Sequence, residues 1–174
     1  LHAGQSAGQL KEWKVSLDLL SQLPTKFPES TSLANAHYEA GWAKQNLGQT
    51  EDALKDYEIA ATNSRDAVGA RARFMMGEIQ FEKKAHDEAI REFQRAMFGF
   101  GGDNATPETK NWQAKSGFEA GRCAEVQINE AKDAAAKTKL ITDAKRFYTF
   151  VAEKHPQHEL AADAKKRLEV LSKL

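Results

Sequence analysis

One spaced pattern recurs along this chain: Gly41, Ala53, Tyr57, Ala60; then Gly77, Ala89, Phe93, Ala96; then, stretched, Gly121, Ala144, Tyr148 and Val151. In the first two copies alanine follows glycine by twelve residues, the aromatic comes four later and the second alanine three after that. Self-similarity at a fixed period implies stacked helix-turn-helix units, not one closed globule. Residues three and four apart share one side of a helix, so each alanine-aromatic-alanine set marks a buried face. Gly41 and Gly77 fall inside helical pattern, where glycine costs about 1 kcal/mol relative to alanine. Close approach of two helices is the return: small residues let the backbones meet, and the ring fills the remaining volume.

The pattern divides one elongated domain. Residues 32–66 form the first complete unit, 67–103 a second with a following loop, and 104–156 a third. Gly48 ends the first helix of its unit, and Lys84 takes the corresponding turn of the next. In the third unit Ala144 and Tyr148 come eleven residues later than the spacing requires, with Pro156 at the exit. Eleven residues are about three helical turns, so a lengthened helix absorbs them without rotating its buried face. The alanine-rich stretch around Lys132–Lys137 reads as helix, and the second helix of this pair as long. Residues 1–31 read as the end of a preceding unit: Leu10, Trp13, Leu17, Leu20 and Leu23 make a helical stripe from Gln9 to Leu23, and its partner helix is missing. Residues 157–174 carry Leu160, Ala161, Ala164, Leu168 and Leu171 as a capping helix. The expectation is about seven helices, with Thr50, Asp66 and Thr106 as N-caps and Pro107 at a first helical position. Gly99–Asp103 is expected to be the loosest connection. Leu1 and the partial leading unit suggest a fragment of a longer protein.

These residues resemble the tetratricopeptide repeat, whose units carry glycine, alanine, an aromatic and alanine at these intervals, often with a proline at the exit. The resemblance implies an all-α fold, a right-handed α-solenoid of antiparallel helix pairs, in which the first helix of each unit lines a concave groove. Carried over residue by residue, the groove receives Asn35, Tyr38, Trp42 and Gln45, then Arg71, Phe74, Glu78 and Phe81, then Lys115, Phe118, Arg122 and Glu125. Tyr38, Phe74 and Phe118 occupy one place in successive units; such rings pack between first helices or face a partner. Trp42 and Phe81 are the expected exposed anchors. The carboxylate clamp of chaperone-binding members is not matched, because Trp42, Gln45 and Glu78 stand at its other places. Lys-Phe-Pro-Glu-Ser at residues 26–30 and Glu-Lys-His-Pro-Gln-His at 153–158 are similar to unit exits of bacterial cell-envelope repeat proteins, the Tol-Pal partner and outer-membrane assembly lipoproteins among them. That likeness implies a periplasmic or envelope setting.

Composition narrows the partner. With 25 basic and 25 acidic residues there is no overall field to draw nucleic acid or an anionic membrane, and no apolar run spans a bilayer. Tyr38, Phe74 and Phe118 also stand where base-reading helical repeats need small polar residues. Gly4-Gln5-Ser6-Ala7-Gly8 fits the serine-hydrolase elbow pattern but lacks the preceding strand, and reads as a flexible terminus. Gly99-Phe100-Gly101-Gly102 lacks the Gly-Lys-Ser/Thr of a phosphate loop and reads as a linker. Cys123 follows the packing glycine Gly121 and reads as a buried thiol, although Arg122 beside it would favour a reactive one. His155 and His158 have no matching thiolate or carboxylate set and read as a solvated turn. Glu51-Asp52 and Asp87-Glu88 open helices, where negative charge offsets the dipole. The chain therefore reads as a non-enzymatic scaffold or adaptor that binds a protein or peptide partner, with no cofactor and no metal. The alternatives are an accessory interaction domain of a larger enzyme or transporter and a self-association module using an unpaired leading helix.

Overall fold

The structure, a computed structural model, describes all of residues 1–174 and is helical throughout, without strands. In chain order the helices are α1 (His2–Gln9), α2 (Trp13–Leu20), α3 (Gln22–Lys26), α4 (Leu33–Asn46), α5 (Thr50–Asn63), α6 (Ala67–Glu82), α7 (His86–Phe98), α8 (Pro107–Glu130), α9 (Ala134–Lys154) and α10 (Ala161–Leu171), with a 3₁₀ turn at Gly102–Asn104. That makes nine helices when α2 and α3, separated only at Ser21, are taken as one rod, against about seven expected. The break has a cause in Pro24, which has no N–H for the Leu20 carbonyl and whose ring collides with it. From α4 onward each helix packs on the next, and α4, α6 and α8 also touch one another in succession.

The glycine-aromatic spacing becomes a contact in every unit. A Cβ on Gly41 would stand 2.9 Å from the Tyr57 ring, one on Gly77 2.5 Å from Phe93, and one on Gly121 2.6 Å from Tyr148. Ala53, Tyr57, Ala60, Ala89, Phe93, Ala96, Ala144, Tyr148 and Val151 are all fully buried. Burying such large side chains stabilises by about 1.5–3 kcal/mol each.

The leading unit is complete, which corrects the expectation of a missing helix. Gly4, in α1, meets Leu20 sixteen residues on, the interval that separates Gly41 from Tyr57 and Gly77 from Phe93. Ser16 stands in the place of Ala53 and donates its hydroxyl to the Gly4 carbonyl at 2.8 Å. The stretch Gly4–Gly8 is thus part of a helix and no loose terminus, and the expected Gln9–Leu23 helix is cut by the turn at Lys11-Glu12. That turn recurs: Lys11, Gly48 and Lys84 take left-handed φ values of 62°, 75° and 60°, each seven residues after its packing glycine. The following N–H groups of Glu12, Gln49 and Ala85 donate to the carbonyls of Ala7, Lys44 and Gln80 at 2.9 Å in all three cases, closing one C-terminal helix cap three times. Because the cap leads straight into the next helix, α5 starts from Gln49 and Thr50 is its first residue, not its N-cap.

In the third unit the eleven extra residues divide between both helices. Relative to its glycine, α8 ends four residues later than α4 does, and α9 begins seven residues further ahead of its alanine than α5 does, with a three-residue turn at 131–133 as before. Lys132 therefore lies in the turn, Asp133 caps α9, and helix resumes at Ala134. Asp66 and Thr106 accept from the N–H groups of Val68 and Thr109 as N-caps, and Pro107 opens α8. The Gly99–Asp103 connection is anchored: Phe100 is buried against Gly69, and its carbonyl accepts from Gln113 Nε2 at 3.0 Å. Arg73 joins three consecutive helices, reaching Glu58 of α5 at 2.5 and 2.8 Å and Glu92 of α7 at 3.0 Å.

Gly77→Ala is expected to lower stability by about 1–3 kcal/mol in urea unfolding, because the buried Phe93 ring cannot give way. The gain in helix propensity, about 1 kcal/mol, does not offset this. Gly48→Ala, at positive φ in open space, is expected to lose about 1–2 kcal/mol for a different reason, backbone strain. A Gly77→Ala chain as stable as the unaltered one would show that the close approach is not a constraint.

Candidate partner-binding face

On α4, residues 35, 39, 42 and 46 share one side, and 37, 40 and 44 the other. The expected groove residues lie on the first of these sides and on its equivalents in α6 and α8. They do not form one uniform surface. Tyr38, only 3% exposed, stacks on Tyr57 at 5.6 Å between centroids, Phe74 on Phe93 at 5.6 Å and Phe118 on Tyr148 at 5.4 Å. Each ring of the row thus packs on the aromatic of its own hairpin's second helix, and Phe74 also on Trp112 of α8. Gln45 is taken up by the Tyr57 hydroxyl, which donates to its Oε1 at 2.9 Å. Asn35 is half-buried at the start of α4.

Two patches remain open. The first gathers Arg71, Phe74 and Lys115 around Trp112, a residue the repeat register passed over. Arg71 lies 4.3 Å over the Tyr38 ring and 5.3 Å from Trp112; Lys115 Nζ is 4.9 Å from Trp112, and Phe74 5.3 Å. Neither cation has a carboxylate within 4.0 Å, and the buried Nε of Arg71 has no hydrogen-bond partner. Trp112 is one turn before Lys115 on α8, so i,i+3 adjacency was the signal that could have found it.

The second patch is acidic. Burial pushes the Glu78 carboxyl up to about 7, Glu119 and Glu82 add to the rise, and Arg122 opposes it. Arg122 holds Glu119 at 2.8 and 3.0 Å and approaches the Phe81 ring at 5.8 Å. Glu125 faces Arg167 of α10 at 3.4 Å. The anticipated anchors are both half-buried: Trp42 packs edge-on against Trp13 at 5.0 Å, and Phe81 lies 5.4 Å from His86.

Behind α4, a cleft of about 310 Å³ opens where α2 and α3 part. Asp56 is held there by His37 at 2.8 Å and Lys44 at 2.6 Å, while Asp18, also in the lining, has no ion-pair partner. Cys123 is fully buried, and burial pushes its thiol up to about 12, so Arg122 does not activate it. Ser6 lies exposed on α1, with no strand before it. No helix is long and apolar enough to cross a membrane. Compared with known proteins, the chain matches no protein-family model and no curated protein.

A protonated Glu78 is favoured in the folded state between the ordinary carboxyl value of 4.5 and about 7. Its contribution to stability is complete below the lower value and is lost as pH rises through the upper one. Glu78→Gln is therefore expected to raise the melting temperature relative to the unaltered chain at about pH 8 and to leave it unchanged at about pH 4. Equal effects at both pH values would remove the titration assigned to this patch.

Proposed function

We propose that this chain is a right-handed α-solenoid of the tetratricopeptide type and serves as a non-catalytic scaffold, holding a protein or peptide partner along the face made by α4, α6 and α8. The observation that carries the reading is the open patch of Arg71, Trp112 and Lys115, which combines cations lacking carboxylates with a half-buried indole. Trp and Arg concentrate binding energy at interfaces, and cations stacked on rings are already desolvated and oriented. Unpaired Arg71 and Lys115 lie in the first halves of α6 and α8, and Glu78 and Glu82 toward the end of α6, with Glu119 and Glu125 of α8 paired to Arg122 and Arg167. The partner segment fitting it is extended or helical, acidic at one end and basic at the other. The similarity to bacterial cell-envelope repeat proteins suggests where that partner is met.

Trp112→Ala combined with Lys115→Ala is expected to reduce partner capture from an extract of the source cells by about tenfold or more. Trp42→Ala with Phe81→Ala is expected to weaken it less. Unchanged capture by both double variants, with unaltered helix content, would mean that the partner binds elsewhere.

A second reading, self-association, is favoured by Leu10, Val15 and Phe27, which are 72%, 47% and 59% exposed on the leading hairpin and its exit. Light scattering at two concentrations separates the readings: a mass that rises with concentration supports association, and a constant monomer mass removes it.

A further inference from the structure

The cleft behind α4 exists because small residues face a bend. Pro24 breaks the rod of α2 and α3, and Ala36 and Ala40 on the facing side of α4 are too short to fill the space that opens. Leu17, Pro24 and Ala40 wall it with half-buried carbon. It lies on the side of α4 that carries residues 37, 40 and 44, away from the partner face, and does not depend on that reading.

Its polar groups are arranged as acceptors. Asp56, 7% exposed, reaches in from α5; burial works against its charge, but hydrogen bonds from His37 and Lys44 overcome this and hold the carboxyl below the usual carboxylate range. An ionised carboxylate only accepts, so the 2.8 Å bond from His37 puts the ring proton on Nδ1. In the neutral imidazole Nε2 is then a lone pair, without a protein partner and open to solvent. His155 differs: it is 9% exposed at the turn from α9 to α10, which is not solvated as its sequence suggested, and its unpartnered Nε2 is closed to solvent. Lys44 is spent on Asp56 at 2.6 Å, on the side where Asp52 also feels its charge. Asp18 has no cation within 4.0 Å, and only its backbone carbonyl is used, by the side chains of Ser21 and Gln22. With Lys44 and Asp56 cancelling, the lining keeps one negative charge and an imidazole lone pair.

We propose that this cleft binds a primary organic ammonium ion, an N–H donated to His37 Nε2, the charge facing Asp18 and the carbon body resting against Leu17, Pro24 and Ala40. One monovalent cation neutralises the one charge left over, and an apolar body suits a mainly apolar wall around about 310 Å³. A carboxylate ligand would meet Asp18 as a like charge. A quaternary ammonium ion would leave the imidazole lone pair without a donor.

Phenethylamine, phenethyl alcohol, phenethyltrimethylammonium and Nα-acetyllysine methylamide are titrated into the whole chain at about pH 8, where imidazoles are neutral and alkylamines charged. Binding is read by NMR from the His37 ring C–H resonance. Phenethylamine is expected to shift it saturably, and the alcohol and the trimethylammonium ion to bind about fivefold more weakly or less tightly still. Asp18→Asn is expected to weaken phenethylamine binding about fivefold. This variant changes an exposed side chain that holds nothing else in place, so the chain stays folded. The absence of a saturable shift, or unchanged affinity in Asp18→Asn, would overturn the assignment; equal affinity for the trimethylammonium ion would overturn the role of His37. Tighter binding of phenethylamine than of the lysine derivative supports a free amine as the ligand, and the reverse order would overturn that choice in favour of a basic side chain of another chain.

Discussion

The structure depends on a backbone without a side chain pressed against a ring. Where Gly41 meets Tyr57, Gly77 meets Phe93 and Gly121 meets Tyr148, the missing Cβ sets the separation of the two helices in each hairpin. Once that distance is fixed, the phase of the first helix is fixed with it. The glycine side turns to its partner helix, and residues on the far side, such as Arg71 and Glu78 on α6, are left for other contacts. Helix propensity is sacrificed at one residue per unit so that a large aromatic can be buried completely, and the second effect is the larger.

Two devices keep the hairpins in register. The left-handed residue seven places after each glycine closes a helix cap of one geometry in the first three units, whether it is Lys11, Gly48 or Lys84. Lysine adopts this conformation at a cost, which the repeated 2.9 Å cap bond and the tight hairpin help to offset. The hairpin of α8 and α9 departs from the period by an amount close to whole turns, four residues on α8 and seven on α9. These are near one and two turns, so Tyr148 still faces Gly121 and the longer arms only extend the hairpin. Arg73, largely buried between Glu58 and Glu92, then links successive hairpins through charge.

What was legible in the sequence follows from this. Glycine-aromatic spacing reports a backbone contact and survives translation into structure directly, so the three later hairpins were readable. The leading one was not, because Ser16, Leu20 and Lys11 fill the places held elsewhere by alanine, an aromatic and glycine. The close approach at the glycine recurs in all four hairpins and the left-handed cap in the first three, although the residue types differ. The face of α4, α6 and α8 was readable only as a register. Tyr38 proved to be core because its ring has Tyr57 to stack on, and Trp112 was missed because it stands a turn before the residue which the register selects. His155 was misread for a nonlocal reason: its burial is created by the start of α8, distant in sequence, folding back against the turn.

A formal charge of zero argued against any strong field, yet that total conceals how the charges are placed. Many of the ion pairs are spent within a single helix turn, among them Lys55–Asp52, Arg91–Glu88, Arg122–Glu119, Arg146–Asp143 and Lys166–Asp163. Such pairs cancel locally and contribute little to stability. Half-buried Arg71, Lys110 and Lys115 are left unmatched, and Lys110 lies in the first turn of α8. There the helix dipole disfavours a cation, and partial burial strengthens the penalty. An arrangement that runs against its own electrostatics in this way is relieved by a negative group from outside the chain. A net charge of zero is therefore compatible with local positive potential around these few unpaired side chains.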